Sequence, residues 1–346
     1  MTPRAVLPLV AFAFVFSILG LAPGAANDIP LPCDNIVGQN AGNVCGIWVV
    51  WSTLPAPRYG HAVAHDSGHS RAYVHGGYDA SGTVQDTLWS YSYGANSWTV
   101  LPAGPARADA VLIYDATGDD LYLFGGSTGS GQAGDVWRYD APTAGWSVLA
   151  TGAGPTPRHG HVGGWNAADR ELTIFGGATA TGNSGELWRL DVDTGVWDLG
   201  ANAPAARTDA AAVWDNTRNG LLVHGGTQSG APLSDAWLYE PLVDRWTSLG
   251  PSGAGRAGHA AAYDAPFTNM FTFGGAGAAG ADGQTWAFSP HSGIWMGQGP
   301  TPGAVVDAAA TWNTQQARAF LFGGLSAGTV SDEVWWFSPA TATWAI

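Results

Sequence analysis

The chain predicts an all-β fold made of six copies of one four-stranded antiparallel unit, and three observations carry that expectation. A Gly-Gly doublet closing an apolar segment recurs at Gly76, Gly125, Gly176, Gly225, Gly274 and Gly323, at intervals of about 49 residues. An aromatic segment follows each doublet, and a tryptophan follows that, at Trp98, Trp146, Trp197, Trp246, Trp295 and Trp344. The composition agrees: 346 residues with 50 Gly, 21 Pro, 18 Trp, 12% charged residues and no lysine favour short strands and tight turns over amphipathic helices.

Each strand of the unit has its own signal. The first opens the unit, as in "RADAVLIYD" and "RTDAAAVWD". The second ends at the doublet, as in "DLYLFGG" and "AFLFGG". The third is the aromatic segment ("VWRYD", "LWRLD", "VWWFS"), and the fourth carries the recurrent Trp. One such unit cannot cover both of its faces, so each must pack on its neighbours, and six in a ring make a six-bladed β-propeller. The scheme assigns the tryptophans to packing, with only Trp48 and Trp336 outside it.

The glycine pair, the third-strand aromatic and the fourth-strand Trp together resemble the kelch repeat, over about residues 48–346. The resemblance implies a six-bladed kelch-type β-propeller of the galactose oxidase-like superfamily, here of an exported bacterial or archaeal type. It also implies a ring closed by pairing strands from the two chain ends. A surplus fourth-strand signal, "WSTLP" at 51–55, either adds to the last blade or competes with the C-terminal "ATWAI".

Residues 1–26 read as an export signal, with Arg4, an apolar stretch and the small residues "APGAA" before a cleavage point near Ala26. The alternative is an uncleaved anchor, for which an apolar run of about 17 residues is short. Residues 27–47 hold both cysteines, and in an oxidising compartment Cys33 and Cys45 are expected to form one short-loop disulfide. The net charge of −14 argues against nucleic-acid binding, which needs a basic footprint.

In register, Arg58, Arg107, Arg158, Arg207 and Arg256 share one position, and Val305 replaces Arg in the sixth unit. Such arginines either pair with acids in each blade (Asp86, Asp135, Glu186, Asp235, and Asp332 or Glu333, with Asp282 displaced) or hold an acidic partner or carboxylated sugar. Two residues further on, units one, three and five read Gly-His (His61, His161, His259), while units two, four and six read Asp-Ala (Asp109, Asp209, Asp307). That alternation is either a ring handling a cation or proton, or two ways of satisfying the same backbone groups. His65 stands where other units carry Tyr or Trp, Asp66 is a hairpin-turn residue, and His75 and His224 replace the Phe before the doublet.

Catalytic motifs do not stand out. The propeller lacks the cysteine that a copper radical oxidase crosslinks, and it lacks the E-x-x-x-D-x-x-x-H of plant specifier proteins. "GGSTG" at 125–129 is a repeat doublet without the strand–elbow–helix context of a serine hydrolase, and "DVDTG" at 191–195 lacks the later ligands of a calcium loop. The expectation is a secreted, monomeric, non-catalytic binding propeller with an extracellular protein or glycan partner, without cofactor or metal. The alternative is a carbohydrate-active enzyme resembling a sialic-acid mutarotase.

Overall fold

A computed structural model of the chain describes residues 54–201 and 204–346. The export signal, Cys33, Cys45, Trp48 and Trp51 lie outside the described residues. Six four-stranded antiparallel meanders follow one another, over residues 62–101, 111–149, 162–199, 211–251, 260–300 and 309–345. In the first sheet the strands are Ala62–Asp66, Arg71–His75, Leu88–Ser92 and Ser97–Leu101. The other five repeat this order, and the only helical element among the described residues is a single 3₁₀ turn, Pro241–Val243.

Burial grades from strand to strand. The second strands "DLYLF" and "GLLVH" are buried at every residue, because each is covered on both faces by neighbouring sheets. The fourth strand "SWTVL" is mostly exposed, with only Trp98 and Leu101 partly covered. First strands touch in cyclic order, from the first sheet through the sixth and back to the first.

Six hydrophobic clusters occupy the six junctions between adjacent sheets, the last joining sheet six to sheet one. The residue before each doublet packs on the fourth-strand Trp of the next sheet: His75 on Trp146, Phe124 on Trp197, Phe175 on Trp246, His224 on Trp295, Phe273 on Trp344 and Phe322 on Trp98. Ring centroids in these pairs lie between 4.4 and 5.3 Å apart. His75 and His224 therefore take a phenylalanine's place, and burial lowers both imidazoles to about 3, so they are neutral.

The doublet is the tightest point between sheets. A Cβ on Gly76 (φ +70°) would lie 2.0 Å from the Arg107 carbonyl oxygen of the next sheet. The N–H of Gly77 donates to that same oxygen at 2.8 Å. The last junction repeats the arrangement, with the Gly324 N–H donating to the Arg58 oxygen at 2.8 Å.

The expected exchange of strands between chain ends involves Trp51, which lies outside the described residues. The sixth sheet completes itself with Thr343–Ala345, whose Trp344 fills the fourth-strand slot against Phe273 and Phe337. The first sheet is likewise made wholly of its own strands. Side chains join backbone hydrogen bonds in holding the seam between the sixth and first sheets. Tyr91 meets Phe320 at 5.1 Å, Tyr93 meets Trp336 at 5.3 Å and Trp98 meets Phe322 at 4.9 Å. Trp336, unassigned by the repeat, belongs to this aromatic cluster.

Candidate functional site

The arginines stand at the start of the first strands, and their guanidinium groups point into their own sheets. Arg158 and Arg207 are 0% and 1% exposed, and Arg58, Arg107 and Arg256 are also largely buried. Arg207 donates to Asp235 through both Nη atoms, at 2.7 and 2.8 Å, and to the Gly225 carbonyl at 3.0 Å. Arg107 pairs with Asp135, Arg158 with Glu186 and Arg256 with Asp282, at 2.7–2.9 Å. A buried guanidinium persists only when paired and hydrogen-bonded, and here the sheet itself supplies the partners. The geometry matches the intra-blade ion pair and leaves these groups little freedom to meet an acidic partner.

A third member of the arrangement escaped the sequence reading. The indole N–H of Trp137 donates to Asp135 at 2.7 Å, Trp188 to Glu186 at 3.1 Å and Trp237 to Asp235 at 2.6 Å. Burial alone raises the Asp135 and Asp235 carboxyls, but the indole and guanidinium donors outweigh it and hold both below the usual range. The signal was the acid-x-Trp spacing. It also corrects the expected partner of Arg58: the first unit has one more residue between doublet and Trp89, so Thr87, not Asp86, occupies the acid's place. Arg58 donates to the Thr87 hydroxyl at 3.1 Å and to the Gly76 oxygen at 2.9 Å, with no acid in bonding reach among the described residues. Burial lowers its guanidinium to about 10, slightly offset by Asp79. In the sixth unit Glu333 accepts from Trp335 at 2.9 Å, but Val305 offers it no cation.

The Gly/Asp alternation has a different basis. Gly60, Asp109, Gly160, Asp209, Gly258 and Asp307 all adopt positive φ, between 52° and 62°. Each N–H donates to the carbonyl of the preceding member, at 2.7–2.9 Å, and the Gly60 N–H closes the cycle on Asp307. Asp is among the few side-chain residues that tolerate this conformation. Two neighbouring side chains do not fit: a Cβ on Gly60 would be 2.5 Å from Asp109 Oδ1, and on Gly258 2.5 Å from Asp307 Oδ1. Glycine must therefore alternate with aspartate.

This cycle frames a cavity of about 130 Å³ on the axis, adjoining a larger one of about 530 Å³ that first-strand residues line, many of them Ala and Val. Burial, together with the charges of Asp307 and Asp209, pushes the Asp109 carboxyl up to about 7, and Tyr78 offsets part of this. Burial and Asp209 push Asp307 up to about 6. Asp209 is raised by burial and eased by Thr208 and His159.

The three histidines do not join the aspartates as ligands. His61, His161 and His259 lie buried between sheets, against Phe322, Phe124 and His224 of the preceding sheet. Burial lowers His61 and His161 to about 3 and His259 well below its ordinary value, so all three are neutral. Asp66, His69 and Asp119, on hairpins of the first two sheets, do come within ligand distance of one another. Arg71 already pairs with Asp66 there, at 2.8 Å.

Comparison with known proteins agrees with this architecture. The KLHDC2/KLHL20/DRC7 Kelch-repeats domain matches residues 47–198 and 102–255. The chain is 26% identical over 168 residues to the leucine-zipper-like transcriptional regulator 1 homolog of Drosophila melanogaster, covering 44% of this chain and 17% of that protein. It is 37% identical over 130 residues to the Rab9 effector protein with kelch motifs of Bos taurus, covering 35% of this chain and 34% of that one. The chain thus spans about a sixth and a third of these two relatives. Among solved structures, that of YjhT superposes with a TM-score of 0.69 at 19% identity, over 82% of this chain and 96% of that one, which shows a shared fold. The doublets, the inter-sheet aromatic pairs and the matching domain place this β-propeller chain in the kelch-repeat family.

Proposed function

We propose that the chain is a secreted, non-catalytic binding propeller whose six sheets are the blades of one closed ring, with a protein or glycan partner held at the aspartate mouth. One observation carries the reading. Six short loops between second and third strands are each bridged back to the start of their own unit, where the carboxylates of the cavity stand on a hydrogen-bonded backbone cycle. A polar mouth held on a rigid rim loses little to ordering when it binds. Such a mouth selects a cationic group or the hydroxyls of a sugar, in place of the acidic group the arginines suggested. Export by residues 1–26, the Cys33–Cys45 bridge and a monomeric state belong to the same proposal.

The test is a glycan array, with amine-bearing and neutral sugars, probed with the intact protein and with the Asp109→Asn/Asp209→Asn/Asp307→Asn variant. Binding that the variant loses, and that weakens with salt, supports the reading. Equal binding by the variant, or none by either protein, overturns it.

The two carboxyls held near neutrality favour a second reading, a carbohydrate isomerase using Asp109 and Asp307 to move a proton. NMR of anomer exchange in N-acetylneuraminic acid decides it. Acceleration that Asp109→Asn abolishes makes the chain an enzyme, and an unchanged rate removes this reading.

A further inference from the structure

We propose that the axial aspartate ring is a proton-dependent lock on ring closure: while the ring holds a proton the cycle is tight, and full ionisation loosens the seam between the first and sixth sheets. The proposal holds whether or not the mouth binds a partner.

The geometry begins with the cycle itself. The side chains of Asp109, Asp209 and Asp307 extend from the same residues whose amides and carbonyls form the six-membered hydrogen-bond cycle. Repulsion among the carboxylates therefore acts directly on backbone that those bonds hold. Each carboxylate also leans over the neighbouring glycine, within 2.5–2.7 Å of where a Cβ would stand.

Among the described residues only His159 lies near enough to offset part of the three negative charges. The groups facing Asp109 are Tyr78 and His159, whose Nδ1 lies 3.8 Å away, and Thr208 bonds Asp209 at 3.2 Å. His61, His161 and His259 adjoin the same cavity and are neutral. The guanidinium groups of Arg107, Arg158, Arg207 and Arg256 are engaged by their own acids, and Arg58 by Thr87 and backbone oxygens. Three carboxylates lining one small cavity do not all ionise freely, which is the direction in which Asp109 and Asp307 are displaced.

Among the described residues the seam has the fewest ties to resist such repulsion. Five junctions are also tied by the chain running from one sheet into the next. Among the described residues no strand or linker crosses the sixth. It is held by the aromatic cluster, by Arg58 N–H to the Ser331 oxygen at 3.0 Å, by Gly324 N–H to the Arg58 oxygen at 2.8 Å and by Gly60 N–H to the Asp307 oxygen at 2.9 Å.

Hydrogen exchange of the full chain at pH 6 and pH 8, corrected for intrinsic rates, tests the lock. The seam amides of Arg58, Gly60 and Gly324 are compared with Arg158, Gly160 and Gly126 at the junction of sheets two and three. Opening at the seam alone should rise at least tenfold between the two pH values, and Asp109→Asn or Asp307→Asn should remove the rise. Asn keeps the shape and tolerates positive φ, so both variants are suited to fold, and either suffices. Denaturant unfolding supplies a second readout. Relative to Asp109→Asn, the wild-type unfolding constant should rise about 100-fold from pH 5 to pH 8, because a carboxyl raised in the folded state stabilises it at low pH and loses that contribution as pH rises to about 7. Equal protection at both junctions, or parallel pH profiles in wild type and variant, overturns the proposal.

Discussion

Thr87→Asp should stabilise the protein by completing the one repeat position where a buried arginine lacks its acid. In the fourth sheet the equivalent Asp235 binds Arg207 through two contacts and the Trp237 indole through a third. In the first sheet Arg58 has only neutral acceptors, and the Trp89 indole N–H has no partner. Burial has lowered Arg58 from 12.5 to about 10. That corresponds to about 3 kcal/mol of uncompensated charge burial at neutral pH, an upper bound on what a carboxylate recovers. Hydrogen bonds to a charged group contribute about 1.5–3 kcal/mol. Lost Thr87 bonding and partial desolvation of the new carboxylate remove about half, leaving about 1–2 kcal/mol. Urea unfolding followed by tryptophan fluorescence at pH 7 measures the gain, and the same change beside Arg58→Met isolates the pair. A gain of equal size without the arginine, or a loss in its presence, refutes the reasoning.

Further outcomes can be measured alongside it. Asp235→Ala should cost about 3 kcal/mol in the same assay, because it strands the buried Arg207 and the Trp237 indole together. Trp336→Ala should cost about 2–3 kcal/mol by emptying part of the seam cluster, with hydrogen exchange rising first at the sheet one–sheet six junction. His61, His75, His161, His224 and His259 are all depressed in the folded state. Their contribution is complete above about pH 6.5 and is lost as pH falls toward 3, by up to about 1.4 kcal/mol per pH unit for each histidine. His75→Phe should therefore stabilise the protein at pH 5 and lower the slope of stability against pH by one proton, as read from urea midpoints between pH 4.5 and 7.

Much of this was legible in the chain because repetition supplies its own alignment. The doublets marked where second strands end, and the recurrent Trp marked the fourth strands, since both serve contacts made at every junction. The aspartate and asparagine turn residues were equally readable. Less legible were features that depend on a one-residue offset or on a neighbour in another sheet. Asp86 looked like the partner of Arg58 until the longer loop moved Thr87 into its place. The Gly/Asp alternation was plain in the sequence, but its cause, a carboxylate standing over the next unit's glycine, exists only across a junction. A cation- or proton-handling ring was one of two readings open for His61 and its counterparts, and their rings pack between sheets beside the cavity.

By itself the sequence determined the local periodicities: strand order, repeat number, turn chemistry and which residues must be buried. These follow from side-chain spacing along one chain. Only the tertiary structure decided how the first and sixth sheets meet, which arginine is left unpaired and where the three aspartates converge. Those outcomes depend on contacts between units about 49 residues or more apart, where small displacements choose the partner and burial sets the charge. Residues 58–66, "RYGHAVAHD", show the division: their strand and turn are written locally, whereas Gly60's place in the cycle and His61's neutrality come from neighbouring sheets.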